Sequence, residues 1–443
     1  MDAIARNAAP SLREDYVAAE DYISPEFAKL EKDRLWTRAW LMAGREEELP
    51  EVGSYITFEI ADQSVTILRA PDQSLKAFHN VCPHRGRKLT AGCGRMGKFF
   101  CKYHGWKWDL DGNIADVVDR QDWGDALQDE DIALQAVRLG TWGGWIFICM
   151  DEETESLEDW LETVPQFIDP FDFASMRYKF RLQAVLPANW KVSLEAFTEG
   201  YHVQTTHPQI LEYSSDYTYS KGHGRHGHFG YAKSRPLGLP SPRLTDAPDV
   251  DMRRGILENY KAMRTWLNTM YDDSTISAAE RLLTEVPEDA PHDEVIKAFW
   301  KFNMEEHASR AVPWPDGLTL DKFAAAGTSW HLFPNMVFLV GPGFLLGYRA
   351  RPTGDNPDSC IYDVYALERY PEGEAPPTPE VSVRPDIASE ADWGLVLIQD
   401  FMNMNDIQQG MKSKSFKGSL TSPVQEKAVS NFHHALREFI GAD

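Results

Sequence analysis

Residues Cys82 to Trp108 read CPHRGRKLTAGCGRMGKFFCKYHGWKW, and this stretch decides how the rest of the chain is interpreted. It contains two short units, Cys82-Pro-His84 and Cys101-Lys-Tyr-His104, which are separated by sixteen residues. Each unit supplies one thiolate and one imidazole, the side chains that bind zinc and iron in proteins. A zinc finger usually pairs cysteine with cysteine and histidine with histidine, so the mixed units favour a different centre.

A Rieske [2Fe–2S] cluster takes two cysteines on one iron and two histidines on the other. Two loops that each offer one cysteine and one histidine can hold such a cluster from opposite sides. We therefore predict that Cys82, His84, Cys101 and His104 bind a Rieske cluster, and a zinc site is the alternative. Cys93 lies outside both units and is predicted to take no part.

The same stretch is basic in an acidic chain. It contains seven Lys or Arg and no Asp or Glu, whereas the whole chain has a formal net charge of −23 at pH 7. This reversal predicts a docking face for an acidic electron donor, and compensation of the cluster's own charge is the alternative. The basic residues are Arg85, Arg87, Lys88, Arg95, Lys98, Lys102 and Lys107.

Hydrophobic patterning extends the interpretation in both directions. Alternating segments such as SYITFEI and QSVTILRA predict a small antiparallel β domain, which closes near residue 151 with LGTWGGWIFICMD. Residues 1–44 are predicted to be helical and amphipathic. After residue 160, strands alternate with helices at about 190–206, 250–310 and 388–441, a pattern typical of α+β folds. The His-rich stretch 222–231 is predicted to be a polar loop, and the charged section 250–310 to be a lid or a surface insertion.

Composition excludes several classes of protein. The chain of 443 residues has no apolar run of eighteen residues, which argues against a membrane span. Its acidity disfavours nucleic acid as a partner. The five scattered cysteines do not suggest a disulfide framework, and the N-terminus lacks the apolar region of a secretory signal, so we expect a reducing cytoplasm.

A second candidate metal site lies in NWKVSLEAFTEGYHVQTTHP, residues 189–208. On a helix Glu199 and His202 would share one face because they are three residues apart. His202 and His207 are five apart, so both can meet one metal only if the helix ends before Pro208. Two imidazoles and a carboxylate with open positions form the ligand set of non-haem Fe(II) oxygenases.

These motifs, with HLFPN (331–335) and QDFMNMNDIQQGMKS (399–413), resemble the catalytic α subunits of Rieske non-haem iron oxygenases, the aromatic ring-hydroxylating family. The resemblance implies that His202 and His207 are the histidine ligands of a mononuclear iron. It implies Asp400 as the carboxylate ligand, with Asp392 and Asp406 as rivals. It also gives Glu199 a catalytic role, linking this iron to a Rieske histidine of the neighbouring subunit.

The family fold is α+β, with a small antiparallel β Rieske domain and a larger catalytic domain whose helices pack on an antiparallel sheet (helix-grip type). The expected division is an N-terminal helical segment at 1–44 that packs on the catalytic domain, a Rieske domain at 45–160, and a catalytic domain at 161–443. Phe197, Tyr213 and apolar residues of 330–346 are expected to line the substrate pocket.

The function implied is that of a terminal oxygenase component. It would use electrons from an external reductase to activate O2 at a mononuclear Fe(II), and would hydroxylate or dihydroxylate an aromatic or other hydrophobic small molecule, as in aromatic hydrocarbon catabolism. The alternatives are a monooxygenase for N- or O-dealkylation or quaternary-amine oxidation, and a Rieske electron carrier. Glu199 stands where most members have Asp, and Ala196 where many have Asn, so the substrate class stays open.

Partners follow from the same resemblance. No flavin- or nicotinamide-binding fingerprint occurs in the sequence, so NAD(P)H is expected to act through a separate reductase, with or without a ferredoxin. A homotrimer or a multiple of it is expected, with or without a small β subunit. Neither nucleic acid nor a membrane is expected as a partner.

Overall fold

The structure is a computed structural model that describes residues 14–214, 216–232, 237–245 and 250–442. Residues 1–13 of the predicted N-terminal segment and residue 443 of the predicted catalytic domain therefore lie outside the described residues. The described chain divides into two compact units. The smaller unit is Glu31–Trp160, and the larger unit comprises the residues up to Leu30 and those from Leu161 onward.

The described residues form twenty strands. The first ten are β1 (Tyr16–Ala18), β2 (Leu41–Arg45), β3 (Ser54–Ile60), β4 (Gln63–Arg69), β5 (Leu75–His79), β6 (Cys93–Arg95), β7 (Phe99–Phe100), β8 (Lys107–Trp108), β9 (Ile114–Asp116) and β10 (Ala136–Trp142). The other ten are β11 (Trp145–Cys149), β12 (Arg177–Leu186), β13 (Thr218–His223), β14 (His226–Tyr231), β15 (Ser329–Leu332), β16 (Met336–Val340), β17 (Phe344–Thr353), β18 (Asn356–Glu368), β19 (Ser382–Val383) and β20 (Gly418–Leu420).

The same residues form thirteen α-helices, and none of these is both long enough and apolar enough to cross a membrane. The first six are α1 (Glu20–Ile23), α2 (Pro25–Arg34), α3 (Leu157–Leu161), α4 (Val164–Ile168), α5 (Trp190–Glu195) and α6 (Val203–Thr206). The other seven are α7 (Met252–Leu267), α8 (Asp273–Glu285), α9 (His292–Ser309), α10 (Leu320–Ala326), α11 (Glu390–Trp393), α12 (Leu395–Met411) and α13 (Lys427–Ile440).

The smaller unit is built from two antiparallel sheets. Seven strands form the larger sheet in the order β2-β11-β10-β5-β4-β3-β6, and β7, β8 and β9 form the smaller one. Strand β3 shows why the sequence pattern works, because Ile56, Phe58 and Ile60 are buried while the residues between them are more exposed. The predicted antiparallel β domain is confirmed.

The larger unit is centred on an eight-stranded sheet of order β13-β14-β15-β16-β17-β18-β12-β19. Its strands pair antiparallel, except that β12 and β19 run parallel. Helix α5 packs on β17 and β18, α13 packs on β13 and β14, and α12 packs on α5 and β12. The predicted α+β class, with helices on an antiparallel sheet, is confirmed.

The charged section 250–310 forms three consecutive helices, α7, α8 and α9, as the sequence indicated. They share an apolar core that includes Ile256, Leu282 and Phe299. Helix α7 also packs on α12. The section is therefore a folded helical insertion that contacts the helix carrying Asp400.

Two local predictions are wrong. The N-terminal helix ends at Arg34, and Leu41–Arg45 is a fully buried strand that pairs with β11. Short apolar runs fit a buried strand and a buried helix equally well, which explains this error. The stretch 222–231 is not a polar loop, because it falls in the β13–β14 hairpin and His226 and His228 are 1% and 3% exposed. Gly227 lets this hairpin approach α13, since a Cβ there would lie 2.8 Å from the Ala428 Cβ.

Candidate metal centres

The two Cys/His units form loops of the same construction. Cys82 and His84 follow β5, and Cys101 and His104 lie between β7 and β8. In the first loop the Gly86 N–H donates to the Cys82 carbonyl at 2.9 Å, and in the second loop the corresponding bond runs from residue 105 to residue 101 at 2.9 Å. Both glycines have positive φ, +74° and +77°. Each loop therefore needs a glycine to turn back after its histidine.

The four side chains gather at one place in the smaller unit. The ring centroids of His84 and His104 are 4.5 Å apart, and both Nδ1 atoms are buried without a hydrogen-bond partner among the described residues. The Cys82 and Cys101 thiols are buried beside each other. Burial raises the pKa of Cys82, and the neighbouring Cys101 thiol raises it further. Buried unpaired ring nitrogens are costly unless a ligand satisfies them. The residues present thus fit a Rieske [2Fe–2S] cluster.

The basic stretch around this site is partly compensated by acids from outside it. Lys88 pairs with Glu59 at 2.7 Å, and Arg95 pairs with Glu51 at 2.5 Å. The third ion pair joins residues 107 and 116 at 2.7 Å. These surface pairs reduce the local positive charge that the sequence alone indicated, and the docking face stays a prediction.

The second site joins two distant segments of the larger unit. Helix α5 begins with Asn189 as its N-cap and ends at Glu195, and after a turn α6 runs between His202 and His207. The helix therefore stops before Pro208, as the five-residue spacing required. His202, His207 and Asp400 form a cluster of potential metal ligands, with ligand atoms within 4.8 Å of one another.

Asp400 is distinguished from its rivals by position. It is 4% exposed, and its Oδ1 lies 3.6 Å from His202 Nε2 and 3.0 Å from His207 Nε2. Asp392 instead pairs with Arg384 at 3.3 Å, and Asp406 is exposed on the surface of α12. Of the three carboxylates, only Asp400 faces the two histidines.

Hydrogen bonds determine which atoms face the centre of this cluster. His202 Nδ1 lies 2.5 Å from Glu199 Oε1, and His207 Nδ1 lies 2.8 Å from Gln399 Oε1. Both partners are acceptors, so the ring protons sit on Nδ1 and the Nε2 lone pairs point toward Asp400. These three groups converge on a position that suits a cation, either a proton or a metal ion. The residues present therefore fit a divalent metal with open positions.

The pKa of His202 also indicates that a cation is stabilised at this site. Burial by itself lowers the pKa of His202, but the carboxylates of Glu199 and Asp400 outweigh it and raise the pKa to about 9. Without a metal, the His202 ring would therefore hold a proton on the Nε2 atom that faces Asp400. A metal ion that binds there displaces that proton, because imidazole ligates in its neutral form.

Glu199 is close to the site, but not in the way the helical pattern predicted. It lies in the turn between α5 and α6, so the expected shared helical face is wrong. Its carboxylate accepts hydrogen bonds from the backbone N–H groups of Tyr201 and His202 as well as from the His202 ring. These bonds hold Glu199 against a candidate ligand on the side away from Asp400.

Aromatic side chains lie next to the metal-ligand cluster. Phe197 stacks on Tyr348 with ring centroids 4.1 Å apart, and Tyr348 stacks on Tyr362 at 6.0 Å. The charge of Asp400 adds to burial in raising the pKa of both tyrosines. The Tyr362 hydroxyl is buried without a hydrogen-bond partner among the described residues. Phe197 was expected near the substrate, whereas the two tyrosines were not singled out from the sequence.

Other relationships were also missed at the level of the sequence. Gln399 is the partner of His207, and nothing in its spacing to residue 207 signals this. A buried group links both ends of the chain: His433 Nδ1 lies 2.8 Å from Asp21 Oδ2 and its Nε2 lies 2.7 Å from Glu195 Oε1. Such pairings depend on tertiary packing and leave no periodic pattern.

Comparison with known proteins assigns the family. A model of the ring hydroxylating alpha subunit (catalytic domain) matches residues 173–442, and a model of the Rieske [2Fe-2S] domain matches residues 39–124. The chain belongs to the ring-hydroxylating oxygenase α-subunit family. The four Cys and His residues of the first site fall within the Rieske match, and His202, His207 and Asp400 fall within the catalytic match.

Relatives of this α subunit include both monooxygenases and a dioxygenase. The glycine betaine monooxygenase oxygenase subunit of Chromohalobacter salexigens is 30% identical over 197 residues, 44% of this chain and 44% of that subunit. The chain thus matches less than half the length of that relative. The carnitine monooxygenase oxygenase subunit of Acinetobacter pittii is 27% identical over 64% of this chain and 77% of its own length. The large oxygenase component of a Pseudomonas aeruginosa naphthalene 1,2-dioxygenase system is 32% identical over 42% of this chain and 43% of its own.

Solved structures share the fold of this α subunit over nearly its whole length. A quaternary ammonium Rieske monooxygenase in complex with L-carnitine aligns with a TM-score of 0.63 and 18% identity, covering 96% of this chain and 97% of that one. Naphthalene 1,2-dioxygenase from a Rhodococcus species, bound to indole, aligns with a TM-score of 0.62 and 20% identity, covering 97% and 95%. At these identities the likeness describes the fold alone.

Proposed function

We propose that this chain is a terminal oxygenase component that takes electrons from a separate reductase and inserts oxygen from O2 into a small organic molecule. The observation that carries the proposal is the presence of two different donor sets in one chain. One is a pair of thiols with two unpaired ring nitrogens, and the other is a His202, His207 and Asp400 cluster of converging acceptors. When bound, a Rieske cluster would supply single electrons and a mononuclear Fe(II) would supply the site of O2 reduction.

The proposed domains follow these donor sets. Residues 45–160 would hold the cluster through Cys82, Cys101, His84 and His104, and residues 161–443 would hold the mononuclear iron. The N-terminal segment at 1–44 was expected to pack on the catalytic domain, and we keep this proposal for the part up to Leu30, which the pairing of β1 with β20 supports, since residues from Glu31 onward belong to the smaller unit. Replacing any of the four cluster residues should remove the cluster and leave the iron of the catalytic domain in place.

The ligands of the iron would leave part of its coordination sphere for O2 and substrate. His202 and His207 reach Asp400 Oδ1 from one side, and the imidazoles are held in orientation by Glu199 and Gln399. Phe197, Tyr348 and Tyr362 add buried aromatic surface that excludes water near Asp400. The protein therefore contributes orientation, a fixed tautomer at each ring and a dry environment.

Glu199 is proposed to connect the iron of one subunit to the cluster of a neighbour in a homotrimer. If His84 and His104 bind the cluster through Nδ1, the Nε2 atom of His104 remains to meet a carboxylate of another copy. Tyr103, which lies beside His104, and Phe100 are 55% and 44% exposed. Exposed aromatic residues next to a functional group are typical of subunit interfaces, which supports the proposal.

For the substrate we favour monooxygenation of a methylated or quaternary amine. Relatives that are glycine betaine and carnitine monooxygenase oxygenase subunits support this choice. Hydroxylation or dihydroxylation of an aromatic molecule is the second candidate, supported by the naphthalene dioxygenase relative.

Oxygen insertion of either kind needs electrons from outside the chain. One-atom insertion into a C–H bond consumes one O2, two electrons and two protons and releases one water. A reductase that oxidises NAD(P)H, with or without a ferredoxin, is the proposed donor, and the five free cysteines support a reducing cytoplasm as the setting. Reduction of the cluster by NADH with this chain alone would contradict the need for a reductase.

Turnover of a substrate panel under labelled dioxygen, with a surrogate reductase, tests the proposal. A quaternary or methylated amine should release an aldehyde or an alcohol that carries one labelled atom. Two labelled atoms in a cis-diol from an aromatic substrate would instead establish dioxygenation. Iron, sulfide and zinc analysis with an absorption spectrum distinguishes an oxygenase from a zinc protein, which is colourless, and from an electron carrier, which has no second iron.

A further inference from the structure

The partner of His207 differs in kind from the partner of His202. His202 Nδ1 faces the Glu199 carboxylate, whereas His207 Nδ1 faces the side-chain amide of Gln399, with 2.8 Å between Nδ1 and Oε1. His207 is 2% exposed, and Gln399 is half-buried in α12 directly before Asp400. The ring of one candidate ligand is thus held by the residue next to another.

A second glutamine fixes the orientation of this amide. Gln209 Nε2 donates to Gln399 Oε1 at 2.8 Å, and Gln399 Nε2 donates back to Gln209 Oε1 at 3.3 Å. If the Gln399 amide alone were rotated by half a turn, its NH2 group would face two other donors, the Gln209 NH2 group and the His207 Nδ1–H. Gln209 lies in the short 3-10 helix Pro208–Glu212, immediately after His207. The pair of amides therefore joins the two segments that carry the candidate ligands.

We infer that Gln399 is a positioning residue for the metal site, which keeps the proton of His207 on Nδ1 and presents the Nε2 lone pair to the metal, with Gln209 fixing the Gln399 amide. An amide oxygen can accept a hydrogen bond but cannot donate one, so the opposite tautomer of His207 would lose its partner. The inference rests on the proposed function, because it takes His207 as a metal ligand.

The two histidine ligands would then be unequal donors. A carboxylate partner makes an imidazole more basic than a neutral amide does, so His202 would bind the metal more strongly than His207. The difference is built from this chain's own residues and should be visible in the electron paramagnetic resonance spectrum of a bound paramagnetic metal. Replacing the neutral amide by a carboxylate removes the difference and keeps the acceptor.

Four variants separate orientation from packing. Gln399→Leu removes the acceptor and should weaken metal binding by about 10- to 100-fold, the usual effect of losing such a partner. Gln399→Glu keeps an acceptor and should bind at least as tightly as the wild type. Gln209→Leu leaves the Gln399 amide able to rotate and should cause a smaller loss. Gln409→Leu, at an exposed position of the same helix, is the matched control and should bind as the wild type does.

The experiment uses full-length protein that retains its oxidised cluster and from which a chelator has removed the mononuclear metal. Co(II) is titrated by calorimetry, and the electron paramagnetic resonance spectrum of bound Co(II) is recorded, since the oxidised cluster is silent in this measurement. The expected result is a loss of affinity in Gln399→Leu, its recovery in Gln399→Glu, and a spectrum in Gln399→Glu that differs from wild type. Circular dichroism and cluster content verify that each variant is folded.

The outcomes distinguish the inference from the proposed function. If His207→Ala binds Co(II) as tightly as the wild type does, the metal site itself is wrong. If His207→Ala loses the metal but Gln399→Leu matches Gln409→Leu, the site stands and the positioning role of Gln399 is overturned. If Gln399→Leu loses affinity and Gln399→Glu does not restore it, Gln399 acts through packing alone and the inference is likewise overturned. Should Gln399→Leu fail to fold, Gln209→Leu against Gln409→Leu decides the question.

Discussion

His207 Nε2 lies 3.0 Å from Asp400 Oδ1 although 193 positions separate the two residues. The segment that carries His207 follows α5, and α12, which carries Asp400, packs on α5 and on strand β12. Helix α5 in turn rests on β17 and β18. The relationship between the two side chains is therefore set by the way both helices pack on one sheet.

Asp400→Asn should abolish stable binding of the mononuclear metal. The change keeps the size of the side chain but removes its negative charge. Asp400 would be the only anionic ligand of a divalent metal that is otherwise bound by the two neutral imidazoles. We expect metal affinity to fall by about 100-fold or more, since even an outer partner of a ligand is worth 10- to 100-fold. Iron content of the purified protein, with the cluster counted separately through acid-labile sulfide, measures the effect.

Asp406→Asn is the matched control, because Asp406 is an exposed carboxylate on the same helix. It should retain the iron content of the wild type. Equal iron loss in both variants would mean that charge on α12, and not ligation by Asp400, governs the metal.

Glu199→Gln should leave both metals bound and slow turnover. Gln can still accept a hydrogen bond from the His202 ring, so the metal-ligand cluster should keep its geometry. The lost charge-assisted bond is worth roughly 1.5–3 kcal/mol, which corresponds to about a tenfold to a hundredfold decrease in the rate of electron delivery. The measurement is the rate at which a pre-reduced cluster is reoxidised in a single turnover with substrate and O2.

The control for this variant is Glu212→Gln, an exposed carboxylate that follows the same histidine motif. Its reoxidation rate should match that of the wild type. Loss of iron in Glu199→Gln would reassign Glu199 from an electron bridge to a metal ligand.

The Cys and His residues of the cluster loops could be predicted from the sequence because each pair lies within one short motif. Cys82 and His84, and Cys101 and His104, are two and three residues apart, so each loop places its own pair whatever the rest of the chain does. The spacing of the second site was also informative, since Pro208 required the helix to stop near His207. All these side chains lie where the motifs predicted, and their binding of metals stays a prediction.

Side-chain contacts that depend on tertiary packing could not be predicted from the sequence. Gln399 meets His207 only because α12 crosses the histidine segment, and Asp21 meets His433 across 412 positions. Local ambiguity caused the other errors, since the apolar run Leu41–Arg45 suits a helix or a buried strand equally. Glu199 was placed on a helical face by its spacing, whereas α5 already ends at Glu195 and Glu199 lies in the turn that follows.

Gly86→Ala and Gly105→Ala should both destabilise the cluster loops, and the second more than the first. Each residue has positive φ, which costs an L-residue roughly 1–2 kcal/mol. A Cβ at Gly86 would meet nothing within 4 Å, but one at Gly105 would lie 3.1 Å from Val118 Cγ2. Loss of the visible absorption of the cluster during thermal unfolding, compared among the variants, measures the difference.

Gly97→Ala provides the control within the same segment. A Cβ there would also meet nothing within 4 Å, and Gly97 is not among the residues with positive φ. It should leave the loss of the cluster unchanged or slightly delayed, because alanine restricts the unfolded chain. If Gly97→Ala and Gly86→Ala behave alike, backbone conformation does not determine the stability of the loop.

The buried group at His433 should make the stability of the larger unit depend on pH. His433→Gln leaves the Asp21 and Glu195 carboxylates without their shared cation, although Arg437 still pairs with Asp21 and Tyr22 still donates to Glu195. Breaking a buried ion pair costs roughly 3–5 kcal/mol, so these remaining partners place the expected loss near 3 kcal/mol. The exposed neighbour His434 offers the control His434→Gln, which should change stability little.

The sign of the pH dependence follows from the directions in which the pKa values of His433 and Asp21 are shifted. Burial lowers the pKa of His433, but Glu195 and Asp21 outweigh it and raise the pKa above its ordinary 6.5, so its contribution is complete below that value and is lost as pH rises through the raised pKa. Burial raises the pKa of Asp21, but His433 and Arg437 lower it below 3.8, so its contribution is lost only as pH falls through that lowered value. The difference in thermal midpoint between wild type and His433→Gln should therefore be largest from about pH 4 to about pH 6.5 and shrink in alkaline solution. A difference that stays constant into alkaline solution would mean that His433 acts through packing and not through its charge.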